Sequence, residues 1–179
     1  MNTRAHSAGR AADVGRVRVV NIAAVPLAEQ GHGEAFLARH ASLGPLLGAV
    51  MMGCRLTVVP PGKRAWPLHS HHANEELFVV LAGRGVLRTP AGSRPVAAGD
   101  VILAPAGGPE TAHQLVSDPD AELRYLCVST MVAPDVVEYP DSGKVRVFSG
   151  TAPGGDRGRR TLEAAFRAAD AVDYWDGEG

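Results

Sequence analysis

Between Met51 and Met131 the chain alternates short apolar, β-branched runs with breaks rich in Gly, Pro and Asn. The runs are Cys54–Val59, Glu76–Leu81, Gly85–Arg88, Val101–Ala104, Gln114–Val116 and Leu123–Thr130. Pro60-Pro61-Gly62, Gly83-Arg84-Gly85, Pro90-Ala91-Gly92 and Pro105 to Pro109 are among the breaks. Many short strands at this spacing predict an all-β sandwich or barrel, and no helix–strand alternation suggests a parallel sheet. Before this body, Val17–Val20 reads as a strand and Glu34–His40 as helix-like. After it, Tyr139-Pro140-Asp141-Ser142-Gly143 reads as a turn and Lys144–Phe148 as a last strand. Gly150–Arg160 is a Gly/Arg-rich loop. Thr161–Ala169 is expected to be a short helix, because Leu162 and Phe166 stand four apart. The aromatic pair Tyr174-Trp175 is expected to cap an edge of the core. The chain thus divides into an N-terminal extension (1–48), a β-rich body (49–148) and a C-terminal loop with a short helix (149–179).

Composition narrows the function classes. The 179 residues carry a formal net charge of −1, so no basic excess draws the chain to nucleic acid or to anionic lipid. No apolar run approaches the ~20 residues that a membrane helix needs. Met1–Asp13 lacks the apolar stretch of a secretory signal and is expected to be a flexible tail. Cys54 and Cys127 each lie in an apolar run, where free buried thiols are the expectation. With no other address in the sequence, cytoplasm is the expected location.

The chemistry concentrates in histidine. Four of the seven histidines fall between His69 and His113. His69 and His71 are two apart, so in a strand both imidazoles point to one side and can converge on one ion. Glu76 opens the next strand, whose two faces are otherwise apolar; a carboxylate there is costly to bury without a cation. Glu75 is its rival. His113 opens a later strand and can supply a fourth ligand. His72 alternates to the opposite side from His71, and His6, His32 and His40 are taken as ordinary surface or core residues. Three neutral imidazoles and one carboxylate around a divalent ion leave a local charge of +1. This donor set suits one divalent transition metal (Fe, Mn, Zn, Ni, Co or Cu) rather than Ca. Coordination positions left open for water, substrate or O2 are the mark of a catalytic site.

These residues resemble the two motifs of the cupin superfamily. The first reads Gly62, six residues, His69-Ser70-His71, four residues, Glu76, six residues, Gly83. The second reads Gly99, five residues, Pro105-Ala106-Gly107, five residues, His113, with Ser117 where Asn is usual. Its spacer before His113 is longer than the family's two residues. Within this likeness the Glu76–Gly83 spacing selects Glu76 over Glu75. Pro105–Val116 and Tyr139–Lys144 also look like a group of small bacterial single-cupin proteins, some of which carry labels such as sugar-phosphate isomerase.

The resemblance implies a double-stranded β-helix (jelly-roll) barrel with short terminal extensions, closed at one end and holding the metal inside. It implies the ligand set His69, His71, Glu76 and His113. By strand parity Phe78, Val80, Leu115, Tyr125, Cys127 and Leu56 would line the mouth. Polar contacts to a small-molecule substrate would come from Tyr125, Glu75, Lys63, Arg64, Trp66 and Gln114, with Tyr125 or Glu75 carrying protons. The apolar outer faces would be covered by the N-terminal segment or by a second subunit in a homodimer. Function is left among three metal-dependent chemistries: oxygenation, slightly favoured, isomerisation or epimerisation, and decarboxylation or lyase chemistry. A non-catalytic ligand sensor stands behind them, and a barrel in which metal only stabilises the fold comes last.

Overall fold

The computed structural model describes residues 12–14 and 16–179. The tail expected over Met1–Asp13 lies outside the described residues as far as residue 11. The strands are β1 (Ala12–Val14), β2 (Val17–Val19), β3 (Ala28–His32), β4 (Phe36–Ser42), β5 (Met52–Val59), β6 (Ser70–His71), β7 (Glu76–Ala82) and β8 (Arg84–Thr89). They continue as β9 (Gly92–Ala97), β10 (Val101–Ala104), β11 (Gln114–Ser117), β12 (Leu123–Thr130), β13 (Asp135–Tyr139), β14 (Lys144–Ser149) and β15 (Leu162–Arg167). A single α-helix among the described residues, α1 (Leu43–Leu47), follows β4.

The main sheet runs β10-β7-β12-β5-β4-β3. A three-stranded group β11-β8-β9 and a four-stranded group β15-β14-β13-β6 complete the body. Among the described residues every strand-to-strand ladder is antiparallel, and the all-β expectation holds. All six strands expected within the body are present. Phe78 and Val80 from β7, Val59 from β5, Tyr125 and Leu123 from β12, Leu115 from β11 and Val96 from β9 join one buried cluster. Their inner faces therefore pack together. Gly83 permits the tight β7–β8 connection: it holds φ +79°, and a Cβ there would sit 1.8 Å from the Glu122 carbonyl oxygen.

A second cluster lies on the outer face of β5 and β12. Val25, Leu43 and Leu56 are buried there, with Val20, Ile22, Leu27 and Leu126 against them. Leu56 was expected at the mouth; strand alternation instead turns it outward, under the N-terminal segment. Burying a leucine in this way contributes roughly 1.5–3 kcal/mol. Farther along the same sheet, Val101 and Leu103 on β10 stay 63% and 60% exposed.

Two expected helices are strands. Glu34–His40 falls largely in β4, which pairs with β3 through His32↔Phe36 and with β5 through His40↔Thr57. The N-terminal extension is thus continuous with the main sheet. Thr161–Ala169 contains β15, paired with β14 through Val145↔Phe166. A four-residue spacing equals two strand periods as well as about one helical turn, and the open edge of β14 decides between them. Tyr174 and Trp175 cap no core: they are 82% and 70% exposed and pack edge-to-face on each other.

Candidate metal centre

Backbone pairing builds the centre from segments remote in sequence. His69 and His113 face each other across an isolated antiparallel bridge: His113 N donates to the His69 carbonyl at 2.9 Å, and His69 N returns a bond at 3.3 Å. His71 on β6 pairs with Val137 on β13. Glu76 opens β7 between Ala104 of β10 and Ser129 of β12. The long spacer before His113 is absorbed by a 3-10 turn over Pro109–Thr111. Gly107 N also donates to the His71 carbonyl at 2.8 Å, which ties this loop to the histidine strand.

One carboxylate oxygen is the focus. Glu76 Oε2 lies 2.9 Å from His113 Nε2, 3.6 Å from His71 Nε2 and 3.8 Å from His69 Nε2. The ligand atoms of His69, His71 and Glu76 lie within 4.8 Å of one another. Metal bonds of about 2.1 Å place neighbouring ligand atoms about 3.0–3.4 Å apart, so His69, His71 and Glu76 form a group that could hold one ion. His113 stands closest to the carboxylate, as a hydrogen-bonded partner of Glu76 Oε2.

The far side of each ring is also held. His69 Nδ1 donates to the Pro67 carbonyl at 2.8 Å, and His71 Nδ1 bonds Asp135 Oδ2 at 2.7 Å. His113 Nδ1 lies 3.4 Å from the Thr111 carbonyl, a weaker contact. A proton held at Nδ1 leaves the Nε2 lone pair free for a cation. Asp135 is 1% exposed, and its Oδ1 accepts a bond from Ala73 N. Cys127 Sγ meets the other Glu76 oxygen at 3.2 Å.

The electrostatics agree with this donor set. Burial, reinforced by the neighbouring His113, pushes His69 down to about 3. Burial also opposes proton uptake by His71, but the Asp135 hydrogen bond and the Glu76 charge outweigh it and raise its pKa. Glu76 is lowered despite its burial, because the His113 hydrogen bond and the surrounding imidazoles favour the anion. Burial drives the Cys127 thiol well above its usual range, so it stays protonated.

The centre forms the floor of a cavity of about 540 Å³. Ligand sites commonly span about 300–1,000 Å³. Phe78, Leu115, Tyr125, Cys127, Trp66 and Gln114 line it as expected. Val80 is buried in the core beneath, and Leu56 lies on the opposite sheet face. Glu75 does not reach the cavity: one residue from Glu76, it alternates to the exposed side, with its backbone N donating to Thr130 Oγ1. Lys63 and Arg64 also stay outside the lining; the Lys63 ammonium donates to the Glu34 carbonyl and Arg64 lies over Phe36.

Sequence reasoning missed much of the wall. His40, taken as an ordinary residue, lines the cavity. So do Arg55, Tyr139, Lys144, Arg146, Arg157 and Arg160. The Gly/Arg-rich loop thus forms part of the rim. The cavity wall outside the ligand set carries these five cations against one carboxylate, Glu163, in a chain of net charge −1. Asp135 gave no signal either, since nothing in a single acidic residue after Pro134 shows that it backs a histidine more than 60 positions away.

Residues 55–129 match the family model of the cupin domain. An uncharacterised protein of Methanocaldococcus jannaschii is 33% identical over 72 residues, which are 40% of this chain and 54% of that protein. The chain therefore spans about half the length of the curated relative it matches. A sugar phosphate isomerase of a cupin superfamily from Silicibacter pomeroyi aligns with TM-score 0.64 and 27% identity over 78% of this chain and 82% of that one. A candidate sugar phosphate isomerase from Acidithiobacillus ferrooxidans aligns with TM-score 0.63 and 28% identity over 76% of this chain and 80% of that one.

Proposed function

This chain is a cupin-superfamily protein, and from that premise we propose that it is a metal-dependent enzyme that isomerises a small carbonyl compound. The observation that carries the reading is the convergence of three imidazole Nε2 atoms on Glu76 Oε2 at the floor of an open cavity. Four electron-pair donors aimed at one point, three of them imidazoles, make a site for a cation. The bound ion would supply Lewis-acid polarisation of a substrate oxygen.

The protein's own residues do the rest. His69, His71, Glu76 and His113 would hold the ion, and Asp135 would keep the His71 ring aligned. Isomerisation needs a proton acceptor and a donor beside the reacting carbons. His40 is held neutral because burial, and then the Arg55 charge, lower its pKa. It can accept a proton. Burial, with the nearby Cys127 adding to it, raises Tyr125 far above the usual phenol range, so its hydroxyl stays protonated and would serve as a hydrogen-bond donor to a substrate oxygen. Phe78 and Leu115 exclude water from one side of the cavity. The resemblance to the Silicibacter pomeroyi isomerase supports this chemistry over oxygenation.

Oxygenation is the second reading, favoured by the histidine-rich donor set. One experiment separates them: aldose–ketose interconversion assayed anaerobically with Mn- or Zn-loaded protein, beside O2 uptake by the Fe-loaded form. Anaerobic turnover without O2 consumption supports isomerisation. Turnover that requires O2 overturns it.

A further inference from the structure

The cavity's arginines are not equivalent. Arg146, Arg157 and Arg160 share the carboxylate of Glu163. Arg55 has no ion pair among the described residues. Its guanidinium lies 5.0 Å over the Trp66 ring, and its Nε is buried with no hydrogen-bond partner. His40 Nδ1, on the neighbouring strand and in the same cavity, is also buried without a partner, and His40 packs against Trp66 from 5.6 Å. Arg160 Nε in the same lining is also unpartnered, but its guanidinium is already paired with Glu163; buried polar atoms in folded proteins are nearly always satisfied, so the adjacent orphans of Arg55 and His40 mark a place where a polar ligand belongs. An unpaired guanidinium held flat by an aromatic ring presents a rigid fork of donors that matches a phosphate or a carboxylate.

The position relative to the metal centre suits an anchor. Arg55 stands opposite Cys127 in the β5–β12 register. Cys127 in turn touches Glu76. Arg55 and the His/Glu group thus line one cavity, Arg55 and Glu76 from the two strands that flank β12, so one small molecule can reach both.

We propose that Arg55 is the anchor for the substrate's anionic group, a phosphate ester or a carboxylate, and so sets the substrate class as small anionic compounds. The inference rests on reading the cavity as the active site of a metal-dependent enzyme, but its test does not need the metal. Stacking on Trp66 for structure alone would explain the position of Arg55; it would not give the wall an affinity for anions.

The test is binding of inorganic phosphate and of acetate to the full-length protein after metal removal, measured by calorimetry or by phosphorus NMR for the phosphate arm. Metal-free protein excludes coordination of the anion by the ion itself. Saturable binding to the wild type, weakened about tenfold or more in Arg55→Met, is expected, as for loss of a charge-assisted bidentate contact. Arg55→Lys keeps the charge but not the fork and should retain part of the affinity; it serves where the Met variant does not fold. The anion bound more tightly identifies phosphate ester or carboxylate as the source. Absence of saturable binding by the wild type, or equal affinity in wild type and folded Arg55 variants, overturns the proposal. A protein that takes up metal yet binds neither anion would lose this inference while keeping the metal-centre reading.

Discussion

The floor and the wall of the cavity are built on opposite principles. On the floor, His69 and His71 are each fixed twice, by aim at Glu76 and by a close bond on the far side of the ring. On the wall, Arg55 Nε and His40 Nδ1 have no partner at all. The floor is arranged before any ligand arrives, as a metal site must be to impose coordination geometry. The wall keeps unspent hydrogen-bonding capacity, which costs stability in the free protein and becomes useful only when a polar group enters. On the proposed reading, the difference separates the part of the site that would hold the ion from the part that would choose the substrate.

Breaking the floor should have the largest effect. Glu76→Ala removes the only carboxylate in the donor set, and metal affinity should fall by more than about 100-fold in a chelator-competition titration. Asp135→Asn comes next. It keeps the shape but weakens the support behind His71, and loss of such outer partners typically lowers metal affinity about 10–100-fold. An Asp135→Asn protein that binds metal as tightly as the wild type would show that the floor is not braced from behind.

This boundary between floor and wall is also the boundary of what could be read in the sequence. His69, His71 and Glu76 lie within eight residues: alternation puts the two histidines on one side, and the break before β7 together with the Glu76–Gly83 spacing selects Glu76. His113 is legible because it stands directly before β11, a strand that the turn residues announce. Glu75 and Glu76 differ only by that alternation, and the exposed position of Glu75 removes it from the proton-carrying role expected of it. The wall comes from β4, β5, β14 and the loop after β14, brought together by sheet order. No local pattern reports sheet order. The same cause explains the two strands read as helices: β4 and β15 owe their conformation to the edges they pair with, β5 and β14, which outweigh short helix-like spacings.

Acid should discriminate floor from wall more gently. His71 has a raised pKa, so its proton competes with the metal at a higher pH than an ordinary imidazole's would. The gain in melting temperature on adding metal should therefore shrink as pH falls from about 8 toward 5.5. In metal-free protein the sign reverses. A raised folded pKa gives stability that is complete below the unfolded value and is lost as pH rises through the folded one. Melting curves with and without metal that run parallel across this range would contradict the assignment of His71. Smallest of all, Glu75→Gln should change stability by less than about 0.5 kcal/mol and leave metal affinity unaltered, as expected for an exposed side chain. Denaturant titration beside the Glu76 variant checks it.

The central claim is the four-ligand metal centre, and its most direct test is metal content. The tag-free protein, purified without chelator, should contain about one Fe, Mn, Ni or Zn per chain by inductively coupled plasma mass spectrometry, and a folded His71→Ala variant should contain far less. A wild-type protein that holds no metal and takes up none on reconstitution, or a His71→Ala variant with unchanged content, would contradict the account.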